Sequence, residues 1–415
     1  MPLWQQMLWA MLAGLIVGFI ISPHGFALMD GDHAITIGEW LALPGMIFLA
    51  LIKMVVIPLV ATSISLAIAD SRDVESFKEN GLKVGGYFVM TTSIAVCIGI
   101  ALALIIRPGG FISPDAMLTA EAIANRGKIP ELGDSGSLPS MIANIFPTNP
   151  IKSIVDFNMV HIVVASILAG IAMLSLGGKK SKPLADILTA ILDVSMQIVY
   201  WAMLLAPIAV FGFLANLAIK VGADTLSALS VYIGTVLLGL IMILAMYMII
   251  VTVFARRSPW QFLKDIRAAQ ILAFSTSSSA ATMPLSLKVA EEKLNIHPEV
   301  SRFVIPMGTT INMDGTAIYQ IIAGLFLAQV FGIDLTLTQM FILSVTIVGA
   351  SIGSPGSPGV GLVILASILS SIGVSPEGIA MILAVDRILD MCRTTINVTG
   401  DLTAASVMER WMVIK

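Results

Sequence analysis

Six polar residues, Asp386, Asp390, Arg393, Thr394, Asn397 and Asp401, interrupt the last hydrophobic segment of the chain. At 100° per residue they fall at about 0°, 40°, 340°, 80°, 20° and 60°, inside an arc of about 100° on one helix face. A charged stripe in an apolar segment is costly in lipid, so it must face protein, water or a ligand. Arg393 offers a planar fork suited to bidentate binding of a carboxylate. A buried guanidinium needs an acidic partner. Asp386, two turns earlier on the same face, is placed to neutralise Arg393 while the site is empty. Asp390 lies between them and is placed to accept a substrate ammonium group. Thr394 and Asn397 add further donors and an acceptor. An arginine and an aspartate this close suit a zwitterion with a second carboxylate, hence aspartate or glutamate.

The elements that position this stripe belong to a membrane protein. The chain has 415 residues, 57% hydrophobic and 12% charged, with a mean hydropathy of +0.96. Ordinary soluble domains are about 25% charged. The net charge is −3 and no long basic run occurs, which excludes a nucleic-acid partner. Cys97 and Cys392 both lie in apolar stretches and read as buried free thiols. The N-terminus has no basic leader before Leu8–Ile21, so this stretch reads as a first span and not a signal peptide. Six long spans are predicted at 5–22, 40–69, 83–106, 156–177, 187–219 and 226–255. Arg72, Lys78 and Lys83 follow span two, Lys179, Lys180 and Lys182 follow span four, and Arg256, Arg257, Lys264 and Arg267 follow span six. The loop after span one carries Asp30, Asp32 and Glu39 and no Lys or Arg, and the loop after span five has Lys220 alone. The positive-inside rule therefore predicts a cytoplasmic N-terminus in the cell membrane. Residues 108–150 become an external loop, with a short helix near 139–146.

The second half departs from this pattern. Residues 268–290 are cut by the serine run Ser275–Ser279, residues 300–331 by Asn312–Thr316, and residues 337–372 by Gly353–Gly359. Proline and glycine end helices, and unpaired backbone is tolerated at membrane depth only where it is buried in protein or lines a cavity. Taken singly, serines in an apolar helix bond back to their own backbone, and a Pro-Gly break is a loop. Taken together, 258–292 and 337–372 read as two re-entrant hairpins with tips near Ser277–Ala280 and Ser354–Gly359. The first is followed by a broken helix and the second by the polar-faced helix 376–412. A unit that occurs twice points to an inverted repeat, and paired broken segments mark the substrate site of a secondary transporter. The first tip exposes hydroxyls and backbone N–H groups at a helix N-terminus, suited to the α-carboxylate. Asp314 and Asp401 lie at membrane depth with no basic partner nearby in sequence. Sodium, with backbone carbonyls completing an oxygen shell, or a proton on the carboxyl would satisfy them.

The motifs Ser275–Ala280, "NMDGT" at 312–316, "ASIGSPGSPG" at 350–359 and "DRILDMCRTTINVTGD" at 386–401 resemble the glutamate/aspartate:cation symporter family. This dicarboxylate/amino acid:cation symporter family includes prokaryotic sodium–aspartate transporters and the animal excitatory amino-acid transporters. The resemblance covers essentially the whole chain in topology. It implies an all-α polytopic fold of eight transmembrane helices plus two re-entrant hairpins, assembled as a homotrimer in membrane lipid. Residues 1–82 would supply scaffold helices one and two, and 108–225 the external loop with scaffold helices four and five. Residues 83–107 and 226–257 would be transport-domain helices three and six, and 258–415 the transport core. That domain would move across the membrane as an elevator, with the second hairpin as gate.

Carried over by motif, Arg393 would bind the side-chain carboxylate and Asp390 the amino group, with Asp386 supporting Arg393. Thr316, Thr394 and Asn397 would add hydrogen bonds, Ser277 and Ser279 the first-hairpin contacts, and Ser357 and Gly361 those of the second. One sodium ion would bind Asp401 with carbonyls of Gly308, Asn312 and Asn397. Another would take carbonyls of Thr310, Ser351, Ile352 and Ser354, and a third Asp314, Asn312, Thr91 and Thr92. In this family the presence of Arg393 implies an acidic substrate, Asp390 an amino acid, Asp401 sodium, and Gln320 no potassium antiport. The chain departs from acidic amino-acid members at Ser277 and Met391, where a second arginine is common, and at Phe88, where a tyrosine is common near the third sodium site. The expected activity is sodium-coupled symport of L-aspartate or L-glutamate. The alternatives are a proton-coupled glutamate or C4-dicarboxylate symporter, or an anion channel filtered by the hydroxyl-lined tips. A serine hydrolase finds no support, because His24, His33, His161 and His297 stand apart in sequence from the serines or near loops.

Overall fold

The computed structural model describes residues 3–23, 30–69, 81–111, 146–155, 159–221, 224–351, 356, 359–371 and 379–412. All regular structure among them is helical. The helices are α1 (Leu3–Ile21), α2 (Gly31–Ala69), α3 (Leu82–Ile106), α4 (Pro150–Val155), α5 (Met159–Leu176), α6 (Gly178–Val221) and α7 (Asp224–Val253). They continue as α8 (Pro259–Thr276), α9 (Ser279–Glu292), α10 (Pro298–Ile311), α11 (Asp314–Val330), α12 (Leu337–Ser351), α13 (Val360–Ser371) and α14 (Ile379–Trp411). A 3-10 turn, Pro108–Phe111, follows α3. Of the expected features, the helix near 139–146 apart from Phe146, the loop cations Arg72 and Lys78, and Ile352, Ser354 and Ser357 lie outside the described residues.

Two helices are longer than hydropathy predicts. Helix α2 begins at Gly31, nine residues before the expected span, and α6 begins at Gly178. Hydropathy sees only the apolar part of a helix, whereas the backbone ladder continues into polar sequence. Lys179, Lys180 and Lys182 therefore lie in the first turns of α6 and not in a loop. The connection from α5 is Gly177 alone, at φ +78°, a left-handed backbone that glycine adopts without steric cost.

The helices pack in two sets. Helix α6 packs along α1 and α2, and α5 packs on α2. In the other set α14 is surrounded by α7, α8, α10 and α11, and α11 packs against α3. Contacts of α14 with α6, α13 with α2 and α12 with α5 join the sets. Among the described residues, four stretches are long and apolar enough to cross a bilayer: Lys83–Phe111, Gly178–Ala202, Leu229–Val253 and Pro298–Val330. The last is 94% buried within the protein, so the broken helix is a core element shielded from lipid. Outer helices instead expose large apolar side chains such as Trp40, Ile105, Ile249 and Trp260, as a lipid-facing surface requires.

The breaks at 277–278 and 312–313 are both described. Ser258 caps α8 by accepting the Gln261 N–H, and Pro259 occupies the first turn. Helix α8 ends at Ser277, whose left-handed backbone (φ 52°) returns its N–H to Ala273 O at 2.8 Å. Ser278 then starts α9 by accepting the Ala281 N–H at 3.1 Å. Between α10 and α11 the helix is broken only at Asn312 and Met313; Asp314, Gly315 and Thr316 already form the first turn of α11.

Candidate functional site

Arg393 is the centre of the site and is 1% exposed. Its Nη1 donates to Asp386 Oδ1 at 2.9 Å. Its Nε donates to Asp390 Oδ1 at 3.0 Å, and Nη2 lies 2.9 Å from the same oxygen. The guanidinium carbon stands 4.2 Å above the centre of the Tyr319 ring, a cation–π contact strengthened by burial. All these groups come from α14 except Tyr319 of α11. The stripe read from the sequence is thus a buried ion-paired cluster. It stays closed because each carboxylate lies one or two turns from the arginine on the same face.

Both interrupted tips converge here. Gly361, at the start of α13, packs tightly on the guanidinium: a Cβ would come within 3.1 Å of Arg393 Cζ and Nη2. Gln320 Nε2 holds the Gly361 carbonyl at 3.0 Å. The Gly359 N–H donates to Asp390 Oδ2 at 3.1 Å. On the opposite side, Ser278 Oγ and the Ala280 N–H donate to the Gly356 carbonyl at 2.7 and 3.2 Å. The two tips are therefore in direct contact. Ser277 and Ser279 are buried at the first tip, and Ser277 Oγ has no hydrogen-bond partner. That leaves a buried hydroxyl available to a ligand.

The break in α10–α11 is held by α14. Asn397 Oδ1 accepts the Gly315 N–H at 2.8 Å, capping α11 from a distant point in sequence, while its Nδ2 donates to Thr316 Oγ1 at 3.1 Å. Asn312 Nδ2 donates to the Asn397 carbonyl and to Asp401 Oδ1, at 3.0 and 2.9 Å. Asn312 Oδ1 is buried without a donor. A Cβ on Gly308 would stand 2.5 Å from Asp401 Oδ1, so α10 approaches that carboxylate through a bare backbone. The Asn397 carbonyl and the Asp401 carboxylate thus share the Asn312 amide donor. An acceptor-rich cluster of this kind suits a hard cation.

Asp314 is wholly buried. Thr92 Oγ1 donates to its Oδ1 at 2.6 Å and Tyr247 OH to its Oδ2 at 2.8 Å. Thr91 is buried and donates to Phe88 O within α3. Thr394 is buried on α14, whereas Thr310 donates to Met307 O and Ser351 to Val348 O in their own helices. Sequence reasoning missed Tyr247, which lies in a span with no polar pattern, and Tyr319. It also missed the contact made by Ser278, although that residue sits in the serine run, and Arg387, a second charge directly after Asp386.

A family model for the Sodium:dicarboxylate symporter family matches residues 3–411. The chain is 32% identical to the "Proton/glutamate-aspartate symporter" of Escherichia coli (strain K12), over 98% of this chain and 92% of that one. It is 33% identical to the "Proton/sodium-glutamate symport protein" of Bacillus subtilis (strain 168), over 96% and 91%. It is 30% identical to "Excitatory amino acid transporter 3" of Mus musculus, over 97% and 84%. The likeness runs through the N-terminal helices as well as the polar core, and the chain therefore belongs to the sodium:dicarboxylate symporter family, as a multi-pass membrane transporter and not an enzyme.

Proposed function

We propose that the protein is a sodium-coupled symporter of L-aspartate or L-glutamate that works by an elevator mechanism. The observation that carries this reading is Arg393, buried with Asp386 and Asp390 directly beneath Gly361 of the second hairpin. A substrate carboxylate takes Arg393 in place of Asp390, whose freed oxygen receives the ammonium group. The second carboxylate meets Ser277 and the adjacent backbone of the first tip. Thr316, Thr394 and Asn397 line the same face. Sodium binds at Asp401 with oxygens of Gly308, Asn312 and Asn397, and the unpartnered Asn312 Oδ1 supports a cation there. Further ions are assigned to Asp314 with Asn312, Thr91 and Thr92, and to carbonyls of Thr310, Ser351, Ile352 and Ser354 as the gate closes.

The fold is read as eight spans with two re-entrant hairpins in an inverted repeat. The N-terminus lies in the cytoplasm and the second hairpin forms the gate. Helices α1, α2, α5 and α6 form a trimeric scaffold, and the remaining long helices form the moving unit. Labelled aspartate in proteoliposomes should accumulate under an inward sodium gradient; accumulation driven equally by a proton gradient alone would end the sodium claim. Proton coupling is the second reading. It is favoured by the relatives named for proton transport.

A further inference from the structure

Arg387 has no part in the site as described. It sits on α14 about 100° round the helix from Asp386, off the polar stripe, and is 8% exposed. Its Nε and Nη1 have no hydrogen-bond partner. Nη1 lies 3.6 Å from Asp390 Oδ2, an ion-pair distance just beyond hydrogen bonding. Leaving buried guanidinium donors unmade is costly, so they point to a second arrangement in which they are used. Asp390 is the acceptor within reach. Its Oδ1 is taken by Arg393 and, among the described residues, its Oδ2 accepts the Gly359 N–H. The two arginines stand three residues before and three residues after it, on adjoining helix turns.

We propose that Arg387 is a positioning residue for amino-group recognition: when a substrate carboxylate draws Arg393 away, Arg387 closes onto Asp390 Oδ2 and holds that carboxylate in place. The proposal rests on the acidic amino-acid reading above. Substrate binding exchanges Arg393 for the ammonium group at Asp390 Oδ1, and Arg387, 3.6 Å from Oδ2, is poised to fix the carboxylate from its other oxygen. Its effect is on the ammonium end of the substrate and not on the carboxylate gripped by Arg393.

The test is binding to the purified full-length chain in sodium, with L-aspartate and with succinate, which lacks the amino group, as competitor. R387Q should weaken aspartate binding about tenfold and change succinate competition less than about twofold. In a double-mutant cycle with D390N, R387Q should add less than about twofold, because both act through one contact. Unchanged aspartate affinity, equal losses for both ligands, or losses that multiply in the cycle would each overturn the proposal. Where R387Q does not fold, a structure of the wild-type chain with sodium and L-aspartate decides. Arg387 within about 3.2 Å of Asp390 Oδ2 supports the proposal, and a separation still at 3.6 Å overturns it. Failure of the wild-type chain to bind aspartate is a different result, and strikes the transport reading itself.

Discussion

Arg393 shows how strongly one buried charge constrains its neighbours. Removing one partner of a buried ion pair typically costs 3–5 kcal/mol, roughly what an uncompensated charge is worth inside a protein. Arg393→Ala should therefore abolish measurable aspartate binding and lower the apparent melting temperature, and retained micromolar-range affinity would remove Arg393 from the site. Gly308 poses a steric test. Its Cβ would stand 2.5 Å from Asp401 Oδ1 and 3.2 Å from Phe88 Cζ, so Gly308→Ala must displace the carboxylate. The expected result is a sodium concentration for half-maximal aspartate binding raised about tenfold, equivalent to about 1.4 kcal/mol. A sodium titration that matches the wild type would separate Asp401 from the ion.

At the scale of the elements, each break is bound to a partner outside its own segment. Asn397 serves as the missing cap of α11, so Asn397→Leu leaves the Gly315 N–H unsatisfied in a buried setting. That should cost about 1–3 kcal/mol of stability, read as a lower melting temperature in detergent. Ser278 has two duties, capping α9 and holding the Gly356 carbonyl. Ser278→Ala removes a hydrogen bond worth about 1 kcal/mol between the tips. Aspartate should dissociate about fivefold faster in stopped-flow measurements. An unchanged dissociation rate would show that the tip-to-tip contact does not restrain the ligand.

For the whole molecule, the contacts between the two helix sets are the ones an elevator must exchange. A Cβ on Gly349 of α12 would lie 4.0 Å from Val163 Cβ of α5, within the range of a disulfide. With Cys97 and Cys392 replaced, an oxidised V163C/G349C pair should block uptake, spare aspartate binding, and recover uptake on reduction. Undiminished uptake with the cross-link intact would exclude sliding of α12 past α5.

Much of this protein was legible along the chain because lipid is an unforgiving solvent. Hydrophobic runs had to be helices, breaks had to be buried, and a charged stripe on 386–401 had to turn inward. The fixed 100° step of a helix therefore placed Asp386, Asp390 and Arg393 together without any knowledge of the fold. Helix ends at Gly31 and Gly178 escaped notice, since backbone hydrogen bonds continue where hydropathy stops. What only the tertiary structure decided were the meetings between segments remote in sequence. These are Ser278 with Gly356, Asn397 with Gly315, Tyr247 with Asp314, and Gly361 against Arg393. Such contacts satisfy particular donors left over by broken helices, and which segment supplies the acceptor depends on packing that no local periodicity encodes.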